Sequence, residues 1–145
     1  MAKRETTGWG VALVHEKRVT LMMQKIQFVI LSALLIALTA CGSAAARANN
    51  QGNQAFEAEN YEEALEKYNE AKQENPDLAA PYYNSGNTYY RQGDTESAEV
   101  QTKQSIRTAE RNAETELAQH SYYNLGNSYF QAQKWDEAIE AYKEA

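Results

Sequence analysis

The stretches YYNSGNTYY at 82–90 and YYNLGNSYF at 122–130 decide the fold. Tyr, Tyr, Asn, Gly, Asn and Tyr recur in the same order, and Thr88/Ser128 and Tyr90/Phe130 are near-equivalents. A second matched pair follows another rhythm: NYEEALEKY at 60–68 and KWDEAIEAY at 134–142. Each second-pair stretch opens with a short polar turn and reads as the helix that follows it. Turns are therefore expected at Glu59-Asn60, Gly93-Asp94 and Gln133-Lys134. Gly52 and Gly86 stand 34 residues apart, whereas Gly86 and Gly126 stand 40 apart, so about six residues around 111–118 are extra. A fixed period of this length marks stacked helical hairpins, none of which can bury its apolar face alone.

The recurring residues each have a packing task. Glycine inside a helix costs about 1 kcal/mol against alanine, so its recurrence signals a close approach between the two helices of a hairpin. Ala64, Ala98 and Ala138 are the small counterparts on the second helices. Tyr89 and Tyr129 are expected to fill the space between helices, hydroxyls at the edge. Pro76 ends the second helix of the first unit, because it cannot continue the hydrogen-bond ladder.

This pattern resembles the tetratricopeptide repeat (TPR), a 34-residue helix–turn–helix unit with large, glycine, aromatic, alanine and proline positions at set spacings. The resemblance implies an all-α, right-handed α-solenoid of about three units: 45–78, 79–112 and an incomplete 119–145. The first unit departs from the pattern at Ala48 and Gln51, so its helix A is expected to fray or merge into the tether. The second carries Thr102, Ser105 and Glu110 where an aromatic, an alanine and a proline are usual. Its helix B is expected to be polar and to run on through 108–116. The sequence ends at Ala145 inside a helix without a closing cap, which suggests a longer protein or self-association through the open end.

The resemblance also implies a concave groove lined by the A helices. Matching positions are Asn53, Phe56 and Glu57; Tyr83, Asn87, Tyr90 and Arg91; and His120, Tyr123, Asn127, Phe130 and Gln131. Asn53, Asn87 and Asn127 occupy one position in successive units. An asparagine ladder can hold the backbone of an extended peptide, since the amide both donates and accepts; equally, it can bond neighbouring helices. The clamp that grips a chaperone's C-terminal carboxylate needs Lys or Arg where this chain has Tyr83, Tyr123 and His120, so that mode is not expected. His120 reads as a surface residue.

Ahead of the repeats lies a different text. Residues 26–40, IQFVILSALLIALTA, are almost wholly apolar, and about 15 residues is short of the roughly 20 needed to span a bilayer. Lys25 before it and Leu38-Thr39-Ala40-Cys41 at its end resemble the signal peptide and lipobox of bacterial lipoproteins. That likeness implies a leader over 22–41, lipidation of Cys41 by a diacylglyceryl group, and cleavage that makes Cys41 the first residue of a mature 42–145 domain. Two acyl chains suffice for stable anchoring. An uncleaved anchor or an ordinary secretory signal is the alternative. Residues 1–21 precede a leader of normal length, so Met22 or Met23 is the expected start and 1–21 a non-native extension. Gly42, in place of the aspartate that retains some lipoproteins at the inner membrane, points to the outer membrane of a Gram-negative cell envelope.

After Cys41 the chain carries nine Lys and Arg against eighteen Asp and Glu, within a net charge of −6 for the whole. An acidic domain is not drawn to phosphate backbones, so nucleic acid is not an expected partner. With one cysteine and two distant histidines, His15 and His120, no metal-ligand spacing arises, and no cofactor is expected. No nucleophile–base or paired-carboxylate arrangement stands out; the glutamates at 62, 63, 66 and 70 fit a solvated helix face. The expected function is therefore non-enzymatic: a membrane-tethered scaffold binding a protein or peptide. The third unit and its preceding insert are also similar to TPR proteins of bacterial aerotolerance (Bat) operons, which implies, as an alternative, an accessory role in an aerotolerance, secretion or envelope-assembly complex. A further alternative is a fragment whose activity lies beyond Ala145.

Overall fold

The computed structural model describes residues 20–30 and 44–145. The chain divides into two units, Met1–Ala40 and Cys41–Ala145. Residues 20–30 of the first are helical, with their apolar side chains exposed, Phe28 at 73%. Among the described residues no helix is long and apolar enough to cross a membrane. Cys41 and most of the apolar run lie outside the described residues.

The second unit is a stack of three helical hairpins. We label its helices α1 (44–57), α2 (Tyr61–Glu74), α3 (Ala80–Gln92), α4 (Thr95–Arg111), α5 (Thr115–Gln131) and α6 (Trp135–Glu144). Helices adjacent in the chain pack on each other from α2 to α6, and α3 also touches α5. The odd-numbered helices thus form one layer and the even-numbered ones the other, as in an α-solenoid of the expected kind.

Tight turns join the helices of each hairpin and also link α4 to α5. In each, one residue takes a left-handed backbone: Glu59 (φ 61°), Gly93 (φ 80°), Ala113 (φ 59°) and Gln133 (φ 60°). The next amide then reaches back to a carbonyl five residues earlier: Asn60 to Ala55, Asp94 to Tyr89, Glu114 to Ala109 and Lys134 to Tyr129, at 2.8–3.0 Å. This Schellman closure satisfies carbonyls that a helix end would orphan. Asp94 adds an N-cap, its carboxylate accepting from the Ser97 amide at 3.0 Å, and these bonds hold its pKa below the ordinary value. α2 stops instead at Asn75, whose extended backbone is what Pro76 imposes on its predecessor.

Three expectations need correction. Helix A of the first unit is not frayed over 44–57: Ala45, Ala48 and Ala55 are buried, because alanine satisfies both helix propensity and a close helix contact. α4 does not run through 108–116. It ends at Arg111, and the left-handed Ala113 starts α5 at Thr115, so the extra residues lengthen both helices and the third unit begins before 119. Tyr129 is buried as expected, but Tyr89 is only half-buried. The core between helices is also unusually polar. Ser85, Thr88, Thr102, Ser105, Thr108, Ser121 and Ser128 are buried, and several hydroxyls bond the carbonyl one turn back, Ser85 to Pro81 and Ser121 to Leu117 among them. Ser105 and Ser121 join α4 to α5 directly at 2.9 Å.

Lys72 closes the junction between the first two hairpins. Its ammonium donates to Ser85 Oγ at 3.1 Å and Gln101 Oε1 at 3.0 Å, and lies 5.4 Å from the centre of the Tyr82 ring. Among the described residues no carboxylate pairs with it, and burial pushes its pKa from 10.5 down to about 8.

Two stability measurements follow from these features. Ala113→Gly relieves a left-handed alanine and is expected to raise the urea midpoint, a gain of about 0.5–1 kcal/mol; an unchanged or lower midpoint contradicts the strain. For Lys72, the folded chain gives up its proton near pH 8 while the unfolded chain keeps it to about 10.5, so this residue's contribution to stability rises with pH between those values. Lys72→Met is therefore expected to be more stable than wild type at pH 7, by on the order of 1 kcal/mol. The difference should shrink as pH climbs from 8 to 10; one that stays constant or grows overturns the assignment.

Candidate functional site

The groove begins with glycine. A Cβ on Gly52 would strike the Tyr68 ring, one on Gly126 the Tyr142 ring, and one on Gly86 the side chain of Thr102. All three partners lie sixteen residues on, at one position of helix B. With glycine pressed to helix B, the following residue is turned by about 100° along the helix surface, to the rim of the open layer. That residue is Asn53, Asn87 or Asn127.

The asparagines are oriented through their carbonyl oxygens. Tyr68 donates to Asn53 Oδ1 at 3.0 Å, and Tyr142 donates to Asn127 Oδ1 at 2.8 Å. Burial, with the nearby Glu57, pushes the Tyr68 hydroxyl up to about 12, so it remains a donor throughout the physiological range. Thr102 replaces the tyrosine in the second unit, and Asn87 Oδ1 instead accepts from Asn124 Nδ2 at 2.6 Å. Asn84 Nδ2 reaches both Asn53 Oδ1 at 2.9 Å and Asn49 Oδ1 at 3.0 Å. Side-chain amides therefore bridge α1 to α3 and α3 to α5. Among the described residues, no acceptor meets the Nδ2 groups of Asn53, Asn87 or Asn127, whereas each Oδ1 is already engaged, twice at Asn53 and once at Asn87 and Asn127.

Two adjoining recesses lie along this ladder. One, of about 230 Å³, is lined by Asn53, Phe56, Glu57, Tyr68, Asn84 and Asn87. The other, of about 290 Å³, is lined by Phe56, Tyr83, Asn87, Tyr90, Arg91, Asn124 and Asn127. Phe56 and Asn87 belong to both, which makes a continuous trough from the first hairpin to the third. The structure thus brings together Asn53, Phe56, Glu57, Tyr83, Asn87, Tyr90, Arg91 and Asn127. Tyr123 and Phe130 line neither recess. Both are more than half exposed and are held by rings of their own hairpin, Tyr123 by Tyr142 at 5.7 Å and Phe130 by Trp135 at 5.0 Å. His120 and Gln131 are exposed and line neither recess.

Sequence reasoning missed Asn49, Asn84 and Asn124. The signal was present, since Asn84 and Asn124 recur three residues before each ladder asparagine and so lie on the same helix face. Arg91 is the single cation of the trough, and its guanidinium forms no ion pair among the described residues; Glu57 places a carboxylate in the neighbouring recess. No group of three His, Cys, Asp or Glu among the described residues could hold a metal ion. The chemistry on offer is amide donors, tyrosine rings and one guanidinium.

Comparison with known proteins gives the same repeat. A family model described as "TPR repeat" matches residues 52–93, and one described as "Tetratricopeptide repeat" matches residues 77–145. Among solved structures, the chain is similar to the N-terminal domain of stress-induced protein-1 (STI-1) from C. elegans, with 17% identity over 70% of this chain and 81% of that one, TM-score 0.68. It is likewise similar to the first TPR of Spaghetti (RPAP3) bound to the HSP90 peptide SRMEEVD, with 22% identity over 70% and 76% of the two chains, TM-score 0.64. The Arabidopsis OM64 TPR domain aligns at 19% identity over 70% and 78%, TM-score 0.63.

Proposed function

Residues 52–145 belong to the tetratricopeptide-repeat family, and from that premise we propose that the chain is a non-catalytic scaffold that holds an extended peptide in the trough of α1, α3 and α5. The observation that carries this reading is the ladder of unengaged amide donors. Each Oδ1 accepts a bond inside the protein, which fixes the amide plane, and the Nδ2 of each trough-lining asparagine is left without an acceptor among the described residues. Peptide carbonyls are the acceptors every sequence supplies, so such a ladder holds backbone, while Phe56, Tyr83 and Tyr90 receive side chains. The HSP90 peptide held by both Spaghetti repeats supports peptide binding as the mode. That ligand, SRMEEVD, is acidic; here Arg91 alone would meet a carboxylate and Glu57 would repel one, so a peptide with at most one acidic side chain fits better.

We further propose that the scaffold is tethered through lipidated Cys41 on the outer side of a bacterial membrane, the outer membrane if the cell has one. The apolar run ending in Leu38-Thr39-Ala40-Cys41 supports this.

Two experiments test these readings. Crosslinking in intact cells, followed by pull-down, compares wild type with Asn87→Asp/Asn127→Asp. Aspartate keeps the acceptor that Asn124 and Tyr142 use but removes the donors, so folding should persist while partner recovery falls on the order of tenfold. Recovery unchanged in this variant and in Tyr83→Ala removes the trough from the binding site. For the tether, Cys41→Ser should abolish incorporation of labelled fatty acid and shift the protein out of the membrane fraction. Labelling that survives the substitution sinks the lipoprotein reading.

A further inference from the structure

The opposite face of α5 carries a second hollow. At about 100° per residue, Tyr122, Leu125 and Tyr129 lie on the side of the helix away from Tyr123, Asn124 and Asn127. With Ala141 of α6 these residues floor an apolar depression of about 400 Å³. They recur along some 10 Å of α5, the length of two helical turns. The outer wall is α6, which contributes Asp136, Glu137, Glu140 and Glu144. Among the described residues Glu140 forms an ion pair with Lys143, and Glu137 feels the charge of Lys134.

The junction between the first two hairpins shows what the same place holds there. Stepping by the repeat spacing, Tyr82 corresponds to Tyr122, Ser85 to Leu125, Gln101 to Ala141 and Lys72 to Ile106. In the first junction Lys72 sits over the tyrosine ring, bonded to Ser85 and Gln101. In the second every one of those polar groups is apolar, and Ile106 is buried against Leu125 and Tyr129. The tyrosine remains without an ammonium over it, and carboxylates take up its surroundings. Glu110 accepts from the Tyr122 hydroxyl at 2.9 Å, and burial first, then Glu110 and Glu144, raise that hydroxyl's pKa. The far end is closed by Lys103 and Lys134, which lie 5.6 and 5.5 Å from the Tyr129 ring and share the Glu99 carboxylate. Positive charge is thus supplied at the Tyr129 end and lacking at the Tyr122 end.

We propose that this hollow docks a basic amphipathic helix of a partner protein, its leucine-like side chains on Leu125 and Ala141 and its lysine or arginine over Tyr122, between Glu140 and Glu144. An apolar trough between two helices is the shape a helix ridge fills, and the acidic wall selects the charge of its flank. The surface is separate from the peptide trough, so both can be occupied at once.

The test titrates the full chain with a synthetic leucine–lysine helical peptide, a leucine–glutamate analogue of the same pattern, and a serine–lysine analogue without apolar residues. Only the leucine–lysine peptide should bind, with affinity reduced about tenfold in Glu140→Gln/Glu144→Gln. Binding should survive in Glu62→Gln/Glu63→Gln, which removes equal charge elsewhere, and in Asn87→Asp/Asn127→Asp. Circular dichroism confirms that each variant is folded. Equal binding of the serine–lysine peptide, or equal loss in both glutamate pairs, would reduce the effect to bulk charge and overturn the proposal. So would concentration-dependent dimerisation through this face that the leucine–lysine peptide does not displace.

Discussion

One contact organises this domain: a glycine on each A helix pressed under a helix-B side chain sixteen residues later. It sets how closely the two helices of a hairpin approach, since any Cβ at Gly52, Gly86 or Gly126 would overlap the partner. It also sets their rotation, because the glycine face must turn towards helix B. The asparagine that follows is then directed to the open layer. In the first and third hairpins the same tyrosine that covers the glycine also donates to that asparagine, so a packing contact and a contact of the proposed site share one side chain. The site is thus a by-product of hairpin closure and needs no loop of its own.

The second hairpin shows how the stack tolerates a missing member. Thr102 is too short to reach Asn87, and the acceptor is instead filled by Asn124 from the next helix of the layer. Registration there passes from within a hairpin to between hairpins. The surrounding interior is small and hydroxylated, with Ser105 and Ser121 bonded across α4 and α5. Small side chains allow close approach, and bonds to carbonyls one turn back leave no buried side-chain polar atom unsatisfied among the described residues. Little apolar volume is buried per residue, so shape and hydrogen bonding carry more of the specification than in a leucine-rich solenoid.

Much of this is legible in the amino-acid sequence. The glycines, the small alanines and three of the turns follow from recurrence at a fixed offset, because each unit meets the same neighbours. What stays hidden lies where a position is filled by an atypical residue. Ala48 departs from the repeat pattern at a large-residue position, yet buried alanine forms a sound helix. Ala113 gives no sign that it will take a left-handed backbone; in that conformation Glu114 bonds back to Ala109 and α5 starts at Thr115. Of the trough residues, Asn53, Phe56, Tyr83, Asn87, Tyr90, Arg91 and Asn127 are accessible from the repeat register. Asn84 and Asn124 also recur in that register, but their role, like that of Asn49, is hidden because it depends on contacts between units and not on the unit itself.

The two faces of α5 then differ in the kind of selectivity they can exert. On the trough side the ladder consists of neutral amides with unengaged Nδ2 donors, so in the proposed mode they address backbone carbonyl oxygens, and only Arg91 and Glu57 add a preference for charge. On the back side an apolar floor meets a wall rich in carboxylates, where the charge of the incoming residue decides whether burial is favourable. A scaffold gains from that division. As proposed, the trough accepts extended segments chiefly through their common backbone, while the back face selects chiefly by charge. The repeat provides both because α5, packed against α3, α4 and α6, still lines the trough with Asn124 and Asn127 and the hollow with Tyr122, Leu125 and Tyr129.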